Sequence, residues 1–183
     1  MSAASQLSGT AGPTLTTERL ILRLPGPQDI PAITRFFATE RSRWIGGPKN
    51  GPDAFRALAT VLGHWGLRGF GMFAVEQKGA EAACGFAGPW FPEGWPEHEL
   101  GWNLWSENDE GRGIAHEAVT AARRWAYDSL GWRTAVSYIH PENARSLALG
   151  HRLGAFDDTE ASRPFAEYPQ TRIFRHPAPE DCP

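Results

Sequence analysis

The chain is poor in lysine, found only at Lys49 and Lys78, and poor in cysteine, found only at Cys84 and Cys182. Neither cysteine belongs to a Cys-x-x-Cys pair, so neither zinc nor a disulfide framework is expected, and no metal is assigned. No apolar run approaches the ~18 residues of a membrane span, which removes the membrane as a partner. Residues 1–14 are small and polar, without a charged start or an apolar centre, and read as a flexible leader instead of a signal peptide. A cytoplasmic location is the resulting expectation. An excess of positive charge is missing as well: 18 Lys+Arg face 21 Asp+Glu, a net charge of -3, which argues against nucleic acid as the partner.

What is present suits an ordinary globular chain. With 183 residues, 41% hydrophobic and 21% charged, it can bury one sizeable core. Residues 15–177 are read as that single domain, and 178–183 as a short C-terminal tail. The first strand is expected at Arg19 to Leu24, followed by a helix to Phe37 and a second helix from Pro52 to about Leu62. A loop lies between the two helices, and Gly66 to Gly71 reads as a further turn. Two strands, Met72 to Glu76 and Ala82 to Ala87, pair as a hairpin, and a loop rich in Pro and Trp runs from Pro89 to Pro96. A strand from Glu99 to Trp105 leads through a glycine turn into a long helix from Gly113 to about Leu130. That helix has Ile114, Ala118, Ala122 and Trp125 on its apolar face, and Arg123, Arg124 and Asp128 on its polar face. Strands at Thr134 to Ile139 and Thr171 to Arg175 flank a last helix that begins near Asn143. The order predicts an α/β domain with a mixed sheet, in which the strands before and after the long helix are parallel neighbours.

The segment Glu110-Gly111-Arg112-Gly113-Ile114-Ala115-His116-Glu117-Ala118 carries the most information. Strand, glycine turn and helix together form an anion site. Glycine allows close backbone approach, and the first-turn N–H groups face the ligand. By itself the pattern also fits a tight helix entry with no ligand. A Walker loop is excluded because no Gly-Lys-Ser/Thr follows, and a dinucleotide fingerprint fits poorly because His116 stands at the third glycine position.

The segment resembles motif A of the GNAT superfamily of N-acetyltransferases, Gln/Arg-x-x-Gly-x-Gly/Ala, with Gly113 and Ala115 at its last two positions. Asn143-Ala144-Arg145-Ser146 with Leu153-Gly154-Ala155, and the opening Thr17 to Arg23, are similar to the ribosomal-protein N-terminal acetyltransferase (RimJ/RimL-like) branch. The resemblance spans nearly the whole chain. It implies a single-domain GNAT fold, an α/β mixed central sheet with a splayed parallel strand pair and flanking helices. It also implies acetyl-CoA as the donor, and a primary amine on a small molecule or at a protein N-terminus as the acceptor. The chain would act as a monomer or homodimer.

The same resemblance assigns site residues. Pantetheine would lie along the main chain of Trp102, Asn103, Leu104 and Trp105. The phosphates would sit at Glu110, Gly111, Arg112, Gly113, Ile114 and Ala115, with Asn143 and Ser146 also at the cofactor. Glu110 stands where the family has Gln or Arg; its carboxylate is expected to point to solvent, leaving N–H groups and Arg112 to hold the anion. Glu99 is the candidate base, sharing strand parity with Gly101 and Asn103, whereas the adjacent His98 faces the other way. Glu97 and His140 are weaker candidates. Many family members carry a tyrosine seven residues after the motif's asparagine, where this chain has Gly150. Ser146 is therefore the candidate acid, with Tyr138 in reserve.

Each assignment has a plainer counterpart. Glu99 fits an exposed strand end, Ser146 a helix-start serine, and Asn143 a helix cap. Trp90, Phe91, Trp95, Trp102 and Trp105 form either core or the wall of an acceptor pocket, with Pro164 to Gln170 as its opposite rim. Arg41, Arg43 and Trp44 flank that pocket or a solvated face. At the level of function, a non-catalytic or weakly catalytic acyl-CoA-binding module is the alternative to an enzyme, and a nucleotide-binding domain is a third reading.

Overall fold

In the computed structural model, residues 12–164 and 169–182 are described. Residues 1–11 of the expected leader, 165–168 of the expected rim and Pro183 of the tail lie outside them. The elements are β1 (Leu15–Thr16), β2 (Leu20–Arg23), α1 (Ile30–Phe37), a 3₁₀ segment (Glu40–Ile45), α2 (Gly51–Arg68), β3 (Phe73–Gln77) and β4 (Ala83–Trp90). They continue with β5 (Glu99–Leu104), α3 (Ile114–Leu130), β6 (Val136–Ile139), α4 (Ala144–Arg152), β7 (Phe156–Asp157) and β8 (Arg172–Arg175).

Among the described residues these strands form one sheet of order β1-β2-β3-β4-β5-β6-β8-β7. Every pairing is antiparallel except β5–β6, which α3 connects as a crossover and which is therefore parallel. Strand alternation divides the core in two. Phe73 and Val75 of β3 face α3, joining Leu20, Leu22, Ala118 and Ala122, whereas Ala74 faces α1 and α2, joining Ile33, Phe36 and Leu58. The run of small residues at Ala118, Ala122 and Ala126 has no exposure and lets α3 lie close against the sheet.

Several local expectations change once packing is seen. Helix α2 runs six residues beyond Leu62, through Gly63 and Gly66, because its last turns are held by tertiary bonds. The Trp65 indole donates to Met72 O at 2.9 Å and His64 Nδ1 lies 2.7 Å from Phe70 O. It stops at Gly69 in the left-handed conformation. Strand β4 extends to Trp90, since its pairing with β5 continues to Glu99. The two-residue strands β1 and β7 are too short to leave a sequence pattern. Arg123 is a correction: it is 3% exposed, not on the polar face, and donates to Leu153 O at 2.6 Å, satisfying the end of α4. The chain end also packs, with Cys182 against the cluster of Trp132 and Tyr127.

Arg123 also begins a buried chain of hydrogen bonds. Its Nη1 lies 3.3 Å from His176 Nδ1, His176 Nε2 lies 2.9 Å from Ser137 Oγ, and Ser137 Oγ donates to Leu100 O at 2.6 Å. Because Ser137 donates to the carbonyl and Arg123 can only donate, the His176 proton sits on Nε2. Burial and the neighbouring Arg123 charge hold His176 down at about 3, hence neutral.

Candidate functional site

Strands β5 and β6 meet at one register position, Glu99 opposite Val136, and then separate. Val136 N–H donates to His98 O at 2.9 Å, and the Ser137 hydroxyl, in place of a backbone N–H, reaches Leu100 O at 2.6 Å. On the other side Trp105 N–H bonds Cys84 O of β4 at 2.8 Å. Antiparallel alternation therefore turns the main chain of Asn103 towards β4 as well, and that of Trp102 and Leu104 into the gap. Of the four residues expected along the gap, the structure brings the main chain of two to it. The side chains of Asn103 and Trp105 line the opposite face of the sheet.

The turn that follows is built by glycine. Gly111 and Gly113 have φ of 69° and 78°, values that an L side chain rarely adopts. Gly113 caps α3 without a side chain, so among the described residues no side chain caps the start of the helix, and the N–H groups of Ile114 and Ala115 can face a ligand. Arg19, which sequence reasoning passed over inside the opening motif, buttresses this turn. It pairs with Glu117 at 2.6 Å and donates to Arg112 O at 2.9 Å. Its signal was present: a cation immediately before β2 and a carboxylate in the first turn of α3. Among the described residues Arg112 itself pairs with Asp109, at 3.8 Å.

Glu110 overturns the solvent-facing expectation. Its carboxylate pairs with Arg41 at 2.6 Å and with Arg145 at 2.7 Å, and is 23% exposed. Arg41 comes from the 3₁₀ segment and also donates to Leu104 O at the edge of the gap, at 3.2 Å, while its Nε is buried without a partner among the described residues. Two cations thus surround the carboxylate that occupies the position of the family's Gln or Arg.

Ser146 Oγ accepts the Trp102 indole N–H at 3.3 Å, which places it beside the gap. Asn143 caps α4 by accepting Ser146 N–H at 3.2 Å. The missing tyrosine has a steric cause: a Cβ at Gly150 would meet the Phe174 ring at 2.7 Å, so Phe174 fills that space.

On the other face of β5 lies a pocket of about 1160 Å³ walled by Phe36, Phe37, Trp90, Trp95 and Trp105, with Tyr138, Asn103 and Glu99 among its polar lining. Glu99 as a residue is half-buried, with its carboxyl group turned inward. Burial pushes its pKa up to about 7, against the opposing hydrogen bonds of the Trp95 indole, at 2.7 Å, and the Tyr138 main chain. Parity has decided between the adjacent candidates: His98 stacks on Trp132 with ring centres 4.2 Å apart, away from the pocket. Glu97 is committed to Arg175 at 2.8 Å, and His140 lines the pocket against Trp44. Of the five clustered aromatics, Trp90, Trp95 and Trp105 are pocket wall, whereas Trp102 packs on the opposite face and Phe91 against His98. Pro164 and Gln170 do reach the rim, as do Arg43 and Trp44.

A sheet opened between two parallel strands, with a glycine-capped helix at one end of the opening and an acidic pocket across the strand, defines an acyl-transfer architecture. Residues 19–155 match the family described as Acetyltransferase (GNAT) domain, and the chain belongs to that family. It is an acyl-CoA-dependent acetyltransferase. An acetyltransferase from Agrobacterium tumefaciens str. C58 is 37% identical, over 90% of this chain and 94% of its own, with a TM-score of 0.82. The ribosomal-protein-S5-alanine acetyltransferase from Vibrio fischeri is 17% identical, over 93% of this chain and 100% of its own, with a TM-score of 0.65. A GNAT-family acetyltransferase from Bacillus anthracis is also 17% identical, over 89% and 96%, with a TM-score of 0.71. These last two share the fold alone.

Proposed function

We propose that the protein moves an acetyl group from acetyl-CoA to a primary amine by direct attack in a ternary complex. The observation that carries this reading is the position of β5, whose main chain borders the gap on one edge while Glu99 and Asn103 line the pocket. Donor and acceptor thus meet across one strand, with no transfer to a side chain required. The glycine cradle fits the cofactor's phosphates, since any Cβ there is strained and the first-turn donors are free. Gly111, Arg112, Gly113, Ile114 and Ala115 would hold those phosphates, and Trp102 and Leu104 the pantetheine, with Asn103, Trp105, Glu110 and Asn143 shaping the surroundings. Bound acetyl-CoA supplies an activated acetyl thioester.

The chain's own groups provide the proton handling. Glu99 takes the ammonium proton, and its elevated pKa keeps the carboxylate poised near neutral pH. The N–H groups of Trp102 and Leu104 face the gap as donors for charge on the acyl oxygen; one well-placed donor of this kind is worth about 3–4 kcal/mol. Ser146, beside Trp102, is the proton donor to the departing thiolate. The reading extends to the ribosomal-protein N-terminal acetyltransferase branch, a domain over residues 15–177, a monomer or homodimer, and the cytoplasm. Both cysteines are free, in keeping with a reducing compartment.

Incubating the purified protein with acetyl-CoA and an amine panel, and measuring thiol release together with acetylated amine, tests the proposal. Both products should appear in equal amounts. CoA binding without thiol release on any amine would return the chain to the binding-module alternative.

A further inference from the structure

The pocket has a polarity that restricts its acceptor, given the transferase reading above. Its wall is aromatic, from Phe36, Phe37, Trp90, Trp95 and Trp105, and its inner carboxylate is Glu99. The other acidic lining residues are Asp53, which is paired with Arg56, and Glu142, which is exposed. Three cations, Arg43, Lys49 and Arg56, share the lining. Among the described residues Arg43 and Lys49 have no carboxylate partner; Arg43 lies over the Trp44 ring at 4.4 Å and Lys49 over the Phe37 ring at 5.9 Å.

We propose that the acceptor is a small monoamine carried on an apolar, ring-bearing body. Its ammonium sits at Glu99, and its body fills the aromatic wall. One ammonium finds both a carboxylate and electron-rich ring faces there. A second positive charge further along the acceptor finds Arg43 and Lys49, the two lining cations without a carboxylate partner among the described residues, and is repelled. Polyamines, aminoglycosides and lysine-rich protein segments are excluded on that ground. Asn103 adds one directional contact: its Oδ1 is taken by the Trp105 indole at 2.8 Å, which leaves the amide NH₂ to donate to an acceptor group. The volume of about 1160 Å³ leaves ample room for a ring-bearing body beside the reacting end.

The test is a comparison of kcat/KM, with the full chain and saturating acetyl-CoA, for 2-phenylethylamine, tryptamine, spermidine, kanamycin and a short peptide with a free N-terminus. The arylalkylamines should exceed spermidine and kanamycin by about a hundredfold and the peptide by about tenfold. Arg43→Glu combined with Lys49→Glu should shift the spermidine to phenylethylamine ratio by about tenfold towards spermidine. Preference for spermidine, kanamycin or the peptide overturns the acceptor inference and leaves the transferase intact. Turnover of none of the five, with CoA still bound, overturns both. An unshifted ratio in a double variant that retains the wild-type melting temperature removes the charge argument.

Discussion

The two halves of the site, separated by the thickness of one strand, are made in different ways. The proposed donor half is main chain: the free edge of β5, the glycine turn and the first turn of α3 are contiguous in sequence from Glu99 to Ala115. The proposed acceptor half is side chain, collected from α1, the 3₁₀ segment, α2 and β4 to β6, with Glu99 as its inner carboxylate. Backbone N–H groups are the same whatever residue carries them, so a site built from them needs only glycine and a helix start. A pocket that selects among amines needs particular shapes and charges, and these come from wherever the fold can reach. The difference teaches why the donor is shared across a family and the acceptor is not.

Gly113→Trp should break the donor half most severely. The left-handed φ of 78° and the nearby Arg19 Nη2, which a Cβ would meet at 3.2 Å, leave no relaxed place for an indole. CoA affinity by calorimetry should fall by roughly a thousandfold, while circular dichroism shows the fold retained. Retained affinity would mean that the phosphates bind elsewhere.

Glu99→Gln strikes the acceptor half: turnover should drop by about a hundredfold at unchanged CoA affinity. The pH profile is the sharper readout. Only ionised Glu99 accepts a proton, and its pKa stands at about 7, so wild-type kcat/KM should decline as pH falls through 7. The variant should lack that limb, and its persistence would assign the base to another group. Ser146→Ala sits on the boundary between the halves. A loss of about tenfold in kcat, with CoA affinity untouched, marks it as the acid; equal losses in both would make it a structural contact to Trp102.

Arg145→Ala should have the smallest effect. Its side chain is 74% exposed, so CoA affinity should weaken by only about threefold at low salt, and not at high salt. A larger loss that survives salt would bring a side chain into the donor half and blur the contrast.

Legibility followed the same division. The parity argument that set Glu99 apart from His98 held, because strand alternation is a property of the backbone. Arg123 was misplaced because helical spacing locates a residue on a wheel without showing what lies against it, here the carbonyl end of α4. Glu110 was misread for a similar reason. Its partners Arg41 and Arg145 come from the 3₁₀ segment and from α4, and no local pattern joins them. Trp102 parted from the other tryptophans because neighbours in a strand face opposite sides.

By itself the sequence determined the order of the longer elements, the parallel crossover and the glycine turn before α3, since each depends on short-range periodicity or on glycine's freedom at positive φ. Only the tertiary structure decided where β5 and β6 part, at Glu99 and Val136, with Ser137 bonded in place of the next ladder step. It also decided that Phe174 excludes a tyrosine at Gly150, that two arginines neutralise Glu110, and that three tryptophans face one carboxylate. Those are contacts between residues distant in the chain, and their energies exist only once the sheet has closed the distance.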